Sequence, residues 1–425
     1  MDAQFGLLGR VLGHSWSRQI HTYLGSTPYS YFEKEPEEVK DFIRKGAWKG
    51  INVTIPYKRQ AFELADQTSE RAQMVGVSNT LIRKKDGSIY ADNTDISGFI
   101  WLINDFCTKK LEVSAKNLLQ NKNVLVFGNG GASQAVQAGL TSLGATPCVV
   151  DLKGAIDYEH ALSACADAAL IVHTTPVGMY PNCPRALYSA SDLAQLKKLK
   201  GVIDVVYNPM RTGICLAAEE LGIPSTSGLG MLVAQAKYAS EQFQDKHLSD
   251  ELITKLVTTL TRTQENIVLI GMPGAGKTST GKRLAKLLDR PFADLDMEFE
   301  RKTGKTPAEV ISHEGEDAFR KQESSICEEI GKKAGLVIAA GGGVVTRPQN
   351  YKFLHQNGHI IWIRRPLSEL SSKNRPLSQT KGVEALARER YKLYERFADE
   401  TLCCQGSADK DAAAIASRYI PEENA

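Results

Sequence analysis

Short apolar runs recur along the chain, and most are followed by a polar or glycine-rich turn and then by residues with helical spacing. A short apolar run without polar alternation is typical of a strand that is buried on both faces of a sheet. Strands that alternate with helices predict an α/β fold with parallel sheets. The clearest predicted strands are Phe5–Gly9 and residues 122–127, 148–150, 267–270, 337–340 and 360–363.

Length and composition bound the domain count and the class of protein. A chain of 425 residues exceeds one ordinary core, so we expect two or three domains. Residues 246–264 are polar with leucines at helical spacing, and we interpret them as the last helix of a first unit that merges into a linker. With 42% hydrophobic residues, 24% charged residues and a net charge of +3, the composition favours neither nucleic acid nor a membrane as a partner.

The sequence contains neither a recognisable targeting signal nor a cysteine pattern typical of metal sites or disulfides. The first residues lack a basic and apolar leader, and no segment approaches the roughly 20 apolar residues of a membrane helix. The eight cysteines contain no C-x-x-C pair, and Cys403 and Cys404 are adjacent, which suits neither a metal cage nor an ordinary disulfide. We therefore expect reduced thiols and a cytoplasmic protein.

The residues after the predicted strand 267–270 match a phosphate-binding loop. Gly271, Gly276, Lys277 and Thr278 fill the fixed positions of G-x-x-x-x-G-K-[ST]. Backbone N–H groups of such a loop surround a polyphosphate, and the N-terminus of the following helix adds its dipole. Lys277 would contact the terminal phosphates of ATP, and the Thr278 hydroxyl would ligate Mg²⁺. The predicted nucleotide contacts come from Gly271, Gly274, Ala275, Gly276, Lys277, Thr278 and Ser279.

A second glycine-rich loop follows the predicted strand 122–127. Its sequence G-N-G-G-A-S is a variant of the dinucleotide-binding loop, with Ser133 where glycine or alanine is usual. By itself the loop is a weak signal, but a predicted helix over 134–143 and the strand 148–150 follow it in the expected order. We predict a Rossmann-like NAD(P)-binding domain over residues 106–228. The predicted cofactor contacts are Gly128, Gly130, Gly131, Ala132, Ser133 and Asp151.

Four polar clusters lie in residues 1–105. Each cluster alone is most often a turn or a helix cap. In a strand, Asn52 and Thr54 would share one face, and Lys58 would emerge just beyond the strand end. Together the clusters suit a small ligand that bears hydroxyl groups and a carboxylate. They occupy residues 13–17, 50–58, 78–80 and 92–95.

The ordered motifs H-S-x-S, G-x-N-V-T-x-P-x-K, N-T and D-N-T-D-x-x-G resemble those of shikimate dehydrogenase, and the resemblance continues to about residue 245. It implies NADP-dependent reduction of 3-dehydroshikimate to shikimate by the pair Lys58 and Asp95. It also implies a substrate-binding domain over 1–105, completed by about 229–262. The implied substrate contacts come from Ser15, Ser17, Asn52, Thr54, Asn79, Thr94, Tyr207 and Gln235.

Residues 265–425 resemble shikimate kinase through the phosphate loop, D-x-D, F-R, G-G-G, R-P-L and a late R-x-x-L-Y. The resemblance implies a P-loop kinase domain with a parallel sheet, which transfers the γ-phosphoryl group of ATP to the shikimate 3-hydroxyl. Asp294 would approach Mg²⁺ through water, and Asp296 would orient the attacking hydroxyl. Arg375 would close over the phosphates from a lid. The implied substrate contacts come from Asp296, Arg320, Gly341, Gly342, Gly343 and Arg390.

Three features depart from the patterns of the two families. Asp151 ends the strand where an arginine-containing sequence usually contacts the NADP 2′-phosphate, so we expect NAD to be used appreciably or preferred. His173 stands where asparagine is usual, and we interpret it as a histidine satisfied at a strand end. The kinase lid between Pro366 and Arg375 is shorter than usual and lacks the Arg-Thr pair that often lies against adenine.

We therefore predict an α/β protein of two enzymes in tandem, and the length suggests a complete chain rather than a fragment. The substrates would be small molecules. The alternative is an active shikimate kinase fused to a non-catalytic dehydrogenase-like module that binds a ligand and regulates the kinase. The oligomeric state is left open.

Overall fold

The computed structural model describes residues 5–13, 15–370 and 382–420. The chain divides into two compact units: unit 1 comprises Met1–Val177, Ala186–Tyr207 and Ile214–Thr259, and unit 2 comprises Gly178–Arg185, Asn208–Gly213 and Leu260–Ala425. Within the described ranges, no helix is both long and apolar enough to span a bilayer. All eight cysteines are free thiols.

The first part of unit 1 is a mixed six-stranded sheet with the order β2-β1-β3-β5-β6-β4. β1 is buried at every position and pairs in parallel with both β2 and β3, whereas β5 pairs antiparallel with β3 and β6. The strands are β1 (Phe5–Gly9), β2 (Tyr29–Glu33), β3 (Gly50–Val53), β4 (Gln67–Thr68), β5 (Thr80–Arg83) and β6 (Ile89–Asp92). The helices are α1 (Ser17–Tyr23), α2 (Pro36–Lys45), α3 (Lys58–Glu63), α4 (Glu70–Val75) and α5 (Thr94–Lys110).

The second part of unit 1 is a five-stranded parallel sheet with the order β11-β10-β9-β7-β8. β7 pairs with β8 on one side and β9 on the other, so its carboxyl end is the topological switch point where ligands bind in such sheets. The strands are β7 (Asn123–Phe127), β8 (Thr146–Val150), β9 (Leu170–His173), β10 (Gly201–Asp204) and β11 (Ser225–Thr226). The helices are α6 (Ala115–Leu119), α7 (Gly131–Ser142), α8 (Ala161–Ala164), α9 (Ala190–Leu193), α10 (Gly213–Glu220) and α11 (Leu229–Gln244).

Unit 2 is built on a parallel sheet with the order β13-β14-β12-β15-β16. Because the strands are parallel, the loops after β12, β13 and β14 lie at one edge. The strands are β12 (Asn266–Ile270), β13 (Phe292–Asp294), β14 (Val337–Ala339), β15 (Gly358–Arg364) and β16 (Glu400–Cys403). α12 (Glu251–Gln264) begins in unit 1 and ends in unit 2. The other helices are α13 (Lys277–Leu288), α14 (Leu295–Thr303), α15 (Pro307–Glu314), α16 (Glu316–Gly331), α17 (Gln349–His355), α18 (Val383–Phe397) and α19 (Ala408–Ala416).

The α/β class and the parallel sheets are as the sequence predicts, with differences at element ends. The helix predicted within 246–264 is present as α12, but it begins only at Glu251, after α11 has ended at Gln244 with Asp245 at φ 51°. α12 then reaches almost to β12, so no extended linker separates it from the sheet. Likewise α7 begins at Gly131 rather than at residue 134, because the glycine-rich loop itself supplies the first helical turn.

Candidate functional sites

Lys58 and Asp95 form an ion pair in unit 1. Lys58 is the first residue of α3 and Asp95 lies in the first turn of α5, and the Lys58 Nζ donates to Asp95 Oδ2 at 2.6 Å. Only 17% of the lysine side chain and 10% of the aspartate side chain are exposed. The other oxygen, Asp95 Oδ1, accepts from Asn79 Nδ2 at 2.9 Å. The carboxylate is thus held on both sides, and its helix N-terminus further favours negative charge.

A buried network of amides and hydroxyls surrounds this pair. Asn79 Nδ2 also donates to Thr94 Oγ1 at 3.0 Å and to Gln235 Oε1 at 3.3 Å, while its Oδ1 accepts from the Thr94 backbone N–H. Asn52 Nδ2 donates to the Asn79 carbonyl at 3.4 Å, and Asn52 Oδ1 accepts from the Tyr29 hydroxyl at 2.9 Å. The structure therefore brings together six predicted substrate and catalytic positions: Asn52, Lys58, Asn79, Thr94, Asp95 and Gln235. Tyr29 was not predicted, since one tyrosine in a strand carries no signal of its tertiary partner.

The remaining predicted substrate residues lie around residues 15–17 and at strand ends. Ser15 Oγ donates to Ser17 Oγ at 3.0 Å. The Tyr207 ring packs against Trp16 at a centroid distance of 5.1 Å, and burial raises the pKa of its hydroxyl, which keeps it a neutral donor. Thr54 lies one residue beyond β3, although its backbone N–H still donates to the Leu8 carbonyl of β1 at 2.9 Å, so the strand face that it would share with Asn52 stays a prediction.

The dinucleotide loop has the geometry of a phosphate cradle. Gly128 adopts φ 99°, and a Cβ there would lie 2.9 Å from Thr174 Oγ1, so only glycine fits without strain. Gly130 precedes α7 without a capping side chain, and a Cβ at Gly130 would meet no atom within 4 Å. The first turn of α7 thus has no capping side chain and leaves room beside Gly130, which fits the pyrophosphate of a dinucleotide.

The same loop lies next to the Lys58–Asp95 ion pair. A Cβ on Gly131 would be 3.7 Å from Lys58 Cδ. Behind the loop, the buried Ser133 hydroxyl donates to the Gly128 carbonyl at 2.6 Å, so Ser133 supports the loop from inside, and Ala132 follows Gly131 in the first turn of α7. Asp151 lies one residue past β8, as predicted, and its Oδ1 accepts from the Leu152 N–H at 2.8 Å. One carboxylate oxygen of Asp151 is therefore engaged in its own turn.

In unit 2, the phosphate loop links β12 to α13. Gly274 and Gly276 adopt φ values of 88° and 94°, which other residues rarely accept. Lys277 Nζ donates to the carbonyls of Gly271 and Met272 at 2.9 and 3.0 Å, which holds the ammonium across the loop. Ala275 is buried beneath the loop, and Ser279 lines its open side.

Thr278 and Asp294 provide adjacent oxygen donors for a divalent cation. Thr278 Oγ1 donates to Asp294 Oδ2 at 2.7 Å, while Asp294 Oδ1 caps α14 through the backbone N–H groups of Asp296 and Met297. In the described part of the chain, no group of three or more His, Cys, Asp or Glu could hold a metal ion. These donors fit Mg²⁺, which prefers few protein carboxylates and completes its shell with phosphate oxygens and water.

A cavity of about 650 Å³ opens beside the phosphate loop. Arg320 and Arg390 enter it from α16 and α18; Arg320 Nη1 donates to Glu323 Oε2 at 2.7 Å, and Arg390 Nη1 to the Gly342 carbonyl at 3.1 Å. Among the residues that the structure describes, the buried Nε of Arg320 and the buried Nε and Nη2 of Arg390 have no hydrogen-bond partner. The carboxylates of Glu389 and Glu316 lie 3.8 and 3.9 Å from Arg390 Nε and Nη2, beyond hydrogen-bond distance. Unused guanidinium donors in a closed space fit an anionic ligand such as a carboxylate. The predicted residues that line this cavity are Gly274, Gly276, Lys277, Thr278, Ser279, Asp294, Asp296, Arg320, Gly341, Gly342, Gly343 and Arg390.

Two carboxyl groups that line this cavity have raised pKa values. Burial and the nearby Asp294 raise the pKa of Asp296, and Lys277 and Arg320 oppose the rise. Burial raises the pKa of Glu323, which Arg320 opposes. Glu323 was not predicted as a site residue, although its position three residues after Arg320 on one helix was the available signal. The predicted lid residue Arg375 lies outside the described residues.

Comparison with known proteins assigns both units. Residues 7–81 match the model of the shikimate dehydrogenase substrate binding domain, and residues 273–420 match that of shikimate kinase. A shikimate dehydrogenase (NADP(+)) of Ruegeria sp. (strain TM1040) is 36% identical over 255 residues, which cover 54% of this chain and 88% of the relative. A shikimate kinase of Psychromonas ingrahamii is 39% identical over 166 residues, which cover 37% of this chain and 95% of the relative. The chain belongs to both families.

A solved structure agrees with the assignment of the dehydrogenase part. Shikimate dehydrogenase 1 from Peptoclostridium difficile is 30% identical with a TM-score of 0.52, and the match covers 60% of this chain and 97% of that one. The predicted resemblance, fold class and combination of shikimate dehydrogenase with shikimate kinase are thus confirmed. The chain is a fusion of two shikimate-pathway enzymes.

Proposed function

We propose that unit 1 reduces 3-dehydroshikimate to shikimate with NADPH and that unit 2 phosphorylates the 3-hydroxyl of shikimate with ATP. The observation that carries the proposal is the Lys58–Asp95 pair, at 2.6 Å, beside an open dinucleotide loop. A chain whose dehydrogenase part only bound ligand would have no need to keep this pair. We therefore favour catalysis in both units over the regulatory alternative.

In unit 1, the residues move a proton and hold the ring. NADPH, when bound, supplies the hydride that attacks the ring ketone. Lys58 would donate a proton to the ketone oxygen as its negative charge develops, and Asp95 would hold the ammonium in place. Asn79 fixes Asp95 through its amide, so the geometry is set before the ligand arrives. Asn52, Thr94, Gln235 and the serine pair would bind the hydroxyls and carboxylate of the substrate.

In unit 2, catalysis is positioning and electrostatics. Arg320 and Arg390 would bind the shikimate carboxylate, which orients the 3-hydroxyl toward the phosphate loop. Asp296 would accept a hydrogen bond from that hydroxyl, and Lys277 would turn from its loop carbonyls to the phosphates of ATP. Mg²⁺, when bound by Thr278 and, through water, by Asp294, neutralises phosphate charge.

The test is to assay the full-length chain for both reactions. We expect shikimate-dependent reduction of NADP and, separately, shikimate-dependent release of ADP from ATP. A folded chain that releases ADP but reduces no nicotinamide cofactor would replace our proposal with the regulatory alternative. A chain that shows neither activity would contradict both.

The cofactor preference depends on Asp151. A carboxylate about 4 Å from a phosphate charge costs roughly 1–4 kcal/mol, depending on the local dielectric. We therefore propose a weaker preference for NADP than an arginine at this position would give, with appreciable use of NAD. Asp151→Ser should raise the ratio of kcat/KM for NADP to that for NAD at least fivefold, about 1 kcal/mol. A native preference for NADP above about a hundredfold that the substitution leaves unchanged would show that Asp151 does not face the ribose.

A further inference from the structure

His173 ends β9 in the interior of unit 1. Only 2% of the residue is exposed, and it lies in register with Phe127 of β7 and Asp204 of β10. Phe127 directly precedes the dinucleotide loop. A buried histidine at the carboxyl end of a central strand, one strand from that loop, is placed to act on whatever the loop binds.

Hydrogen bonds occupy both ring nitrogens of His173. Nδ1 lies 3.0 Å from Asp204 Oδ2, and Nε2 lies 2.6 Å from Thr175 Oγ1. A carboxylate only accepts, so Nδ1 carries the proton; in the neutral ring Nε2 then accepts from the Thr175 hydroxyl. Backbone groups also hold the two outer members of this hydrogen-bond series. Asp204 Oδ1 accepts from the Val206 N–H at 2.9 Å, and Thr175 Oγ1 accepts from the Val177 N–H at 3.3 Å.

This chain of hydrogen bonds ends at the wall of the dinucleotide loop. A Cβ on Gly128 would lie 3.0 Å from Thr175 Cγ2, and Thr174 bonds the Phe127 carbonyl through both its N–H and its hydroxyl. Residues 174–177 are therefore pressed against the turn that would hold the phosphates, and the conformation of that segment depends on Thr175.

The order of strands in the sheet indicates that segment 174–177 lies beside the nicotinamide half of the cofactor. The phosphates belong at the loop after β7, and the adenosine ribose lies at the end of β8, next to Asp151. The other half of the dinucleotide must extend the opposite way, over the end of β9. That direction is required by chemistry too, because the nicotinamide has to reach the ketone held at Lys58, and Lys58 approaches the same loop at Gly131.

We propose that His173 is a positioning residue for the nicotinamide half of NADP. Through Asp204 on one side and Thr175 on the other, it fixes segment 174–177 as the surface on which that half lies. This inference rests on the proposed dehydrogenase function. It predicts that breaking the chain of hydrogen bonds weakens cofactor binding while the substrate network around Asn79 stays intact.

The test compares two variants of the full-length protein that interrupt the Asp204–His173–Thr175 hydrogen-bond series at different points. His173→Phe removes both hydrogen bonds, and Thr175→Val removes only the last one and leaves the Asp204–His173 pair. We expect each to raise the Kd for NADPH, measured by fluorescence without shikimate, roughly tenfold, and the KM for NADP similarly. The KM for shikimate and the kinase activity should change less than about twofold. The double variant should bind NADPH at most about twofold more weakly than either single variant, because each substitution interrupts the same series of hydrogen bonds.

His247→Phe is the matched control, since it makes the same chemical change at a histidine whose side chain is 86% exposed. It should leave the Kd for NADPH unchanged. If His173→Phe does not fold, Thr175→Val decides the question alone. Unchanged NADPH affinity in Thr175→Val, or an equal rise in the KM for shikimate, would overturn the inference while the proposed function stands. A native chain that neither binds NADPH nor oxidises shikimate would overturn the proposed function, and the inference with it.

Discussion

In the kinase reaction that we propose for unit 2, Asp296 is the residue whose protonation state we expect to control catalysis. Part of the residue is exposed to solvent, but it lines the cavity, and the surrounding protein still desolvates its carboxyl group. Burial and Asp294 raise the pKa of Asp296 above the ordinary value of 3.8. A carboxyl group with a raised pKa stays protonated to higher pH, and the neutral acid accepts the hydrogen bond of the attacking hydroxyl much more weakly than the carboxylate does.

We therefore predict that the kinase kcat falls on the acid side of its pH profile with an apparent pKa above 3.8. Asp296→Asn should lower kcat by roughly a hundredfold or more, which is typical for loss of an acid–base group. The profile is measured at saturating ATP and shikimate, with the dehydrogenase activity of the same sample as the control for folding. An Asp296→Asn variant that keeps most of its kcat would remove Asp296 from the reaction.

Among single residues, the sequence identified those that belong to ordered motifs and missed those defined by tertiary contact. Lys58, Asp95 and Asn79 lie far apart in sequence, yet motif order placed them in one site, and the structure brings them together. Tyr29 was missed because its partner Asn52 lies on another strand of the sheet. The i, i+3 spacing of Arg320 and Glu323 was a sequence signal for their ion pair, but the structure was needed to show that the pair lines the cavity.

At the scale of elements, the glycine triplet after β14 lets α16 bring its arginine close to the backbone. A Cβ on Gly343 would overlap the guanidinium of Arg320, and one on Gly341 would lie 2.6 Å from Glu323 Oε1. Gly343 itself has φ −109°, which any residue can adopt. Alanine at Gly343 would therefore act by moving the Arg320 side chain, without backbone strain.

Gly343→Ala should accordingly raise the KM for shikimate about tenfold and leave the KM for ATP and the melting temperature nearly unchanged. Steady-state kinetics with each substrate varied in turn, together with thermal unfolding, provide the measurement. Arg320→Ala should produce a similar rise, and the double variant should add little, because both changes remove the same contact. Additive effects in the double variant would mean that Gly343 acts through another group.

The strands were predictable because buried parallel strands are nearly continuous apolar runs, as β12 and β15 show. Element ends were less predictable, because they depend on local backbone geometry. Asp245 ends α11 in the left-handed region, and no leucine periodicity signals such a stop. Thr54 falls outside β3 for a related reason, since Pro56 follows closely and limits how far the strand can pair.

At the scale of the whole molecule, two active sites on one chain raise the question of whether either needs the other. Each unit has its own apolar core and its own glycine-rich loop. The residues proposed for the dehydrogenase site and those proposed for the kinase site do not overlap. The product proposed for unit 1 is the substrate proposed for unit 2, but this chemical relation requires no exchange of catalytic groups.

We therefore predict that the two activities are separable by single substitutions. Lys277→Met should abolish ATP-dependent phosphorylation, because the phosphates lose their main cation, and should leave shikimate oxidation near the native rate. Lys58→Ala should do the reverse, lowering hydride transfer by roughly a hundredfold or more. Both activities are measured on the same purified full-length samples, so each unit reports on the folding of the chain while the other is disabled. If either substitution silenced both reactions in a folded protein, the sites would be coupled, and catalysis in one unit would depend on the state of the other.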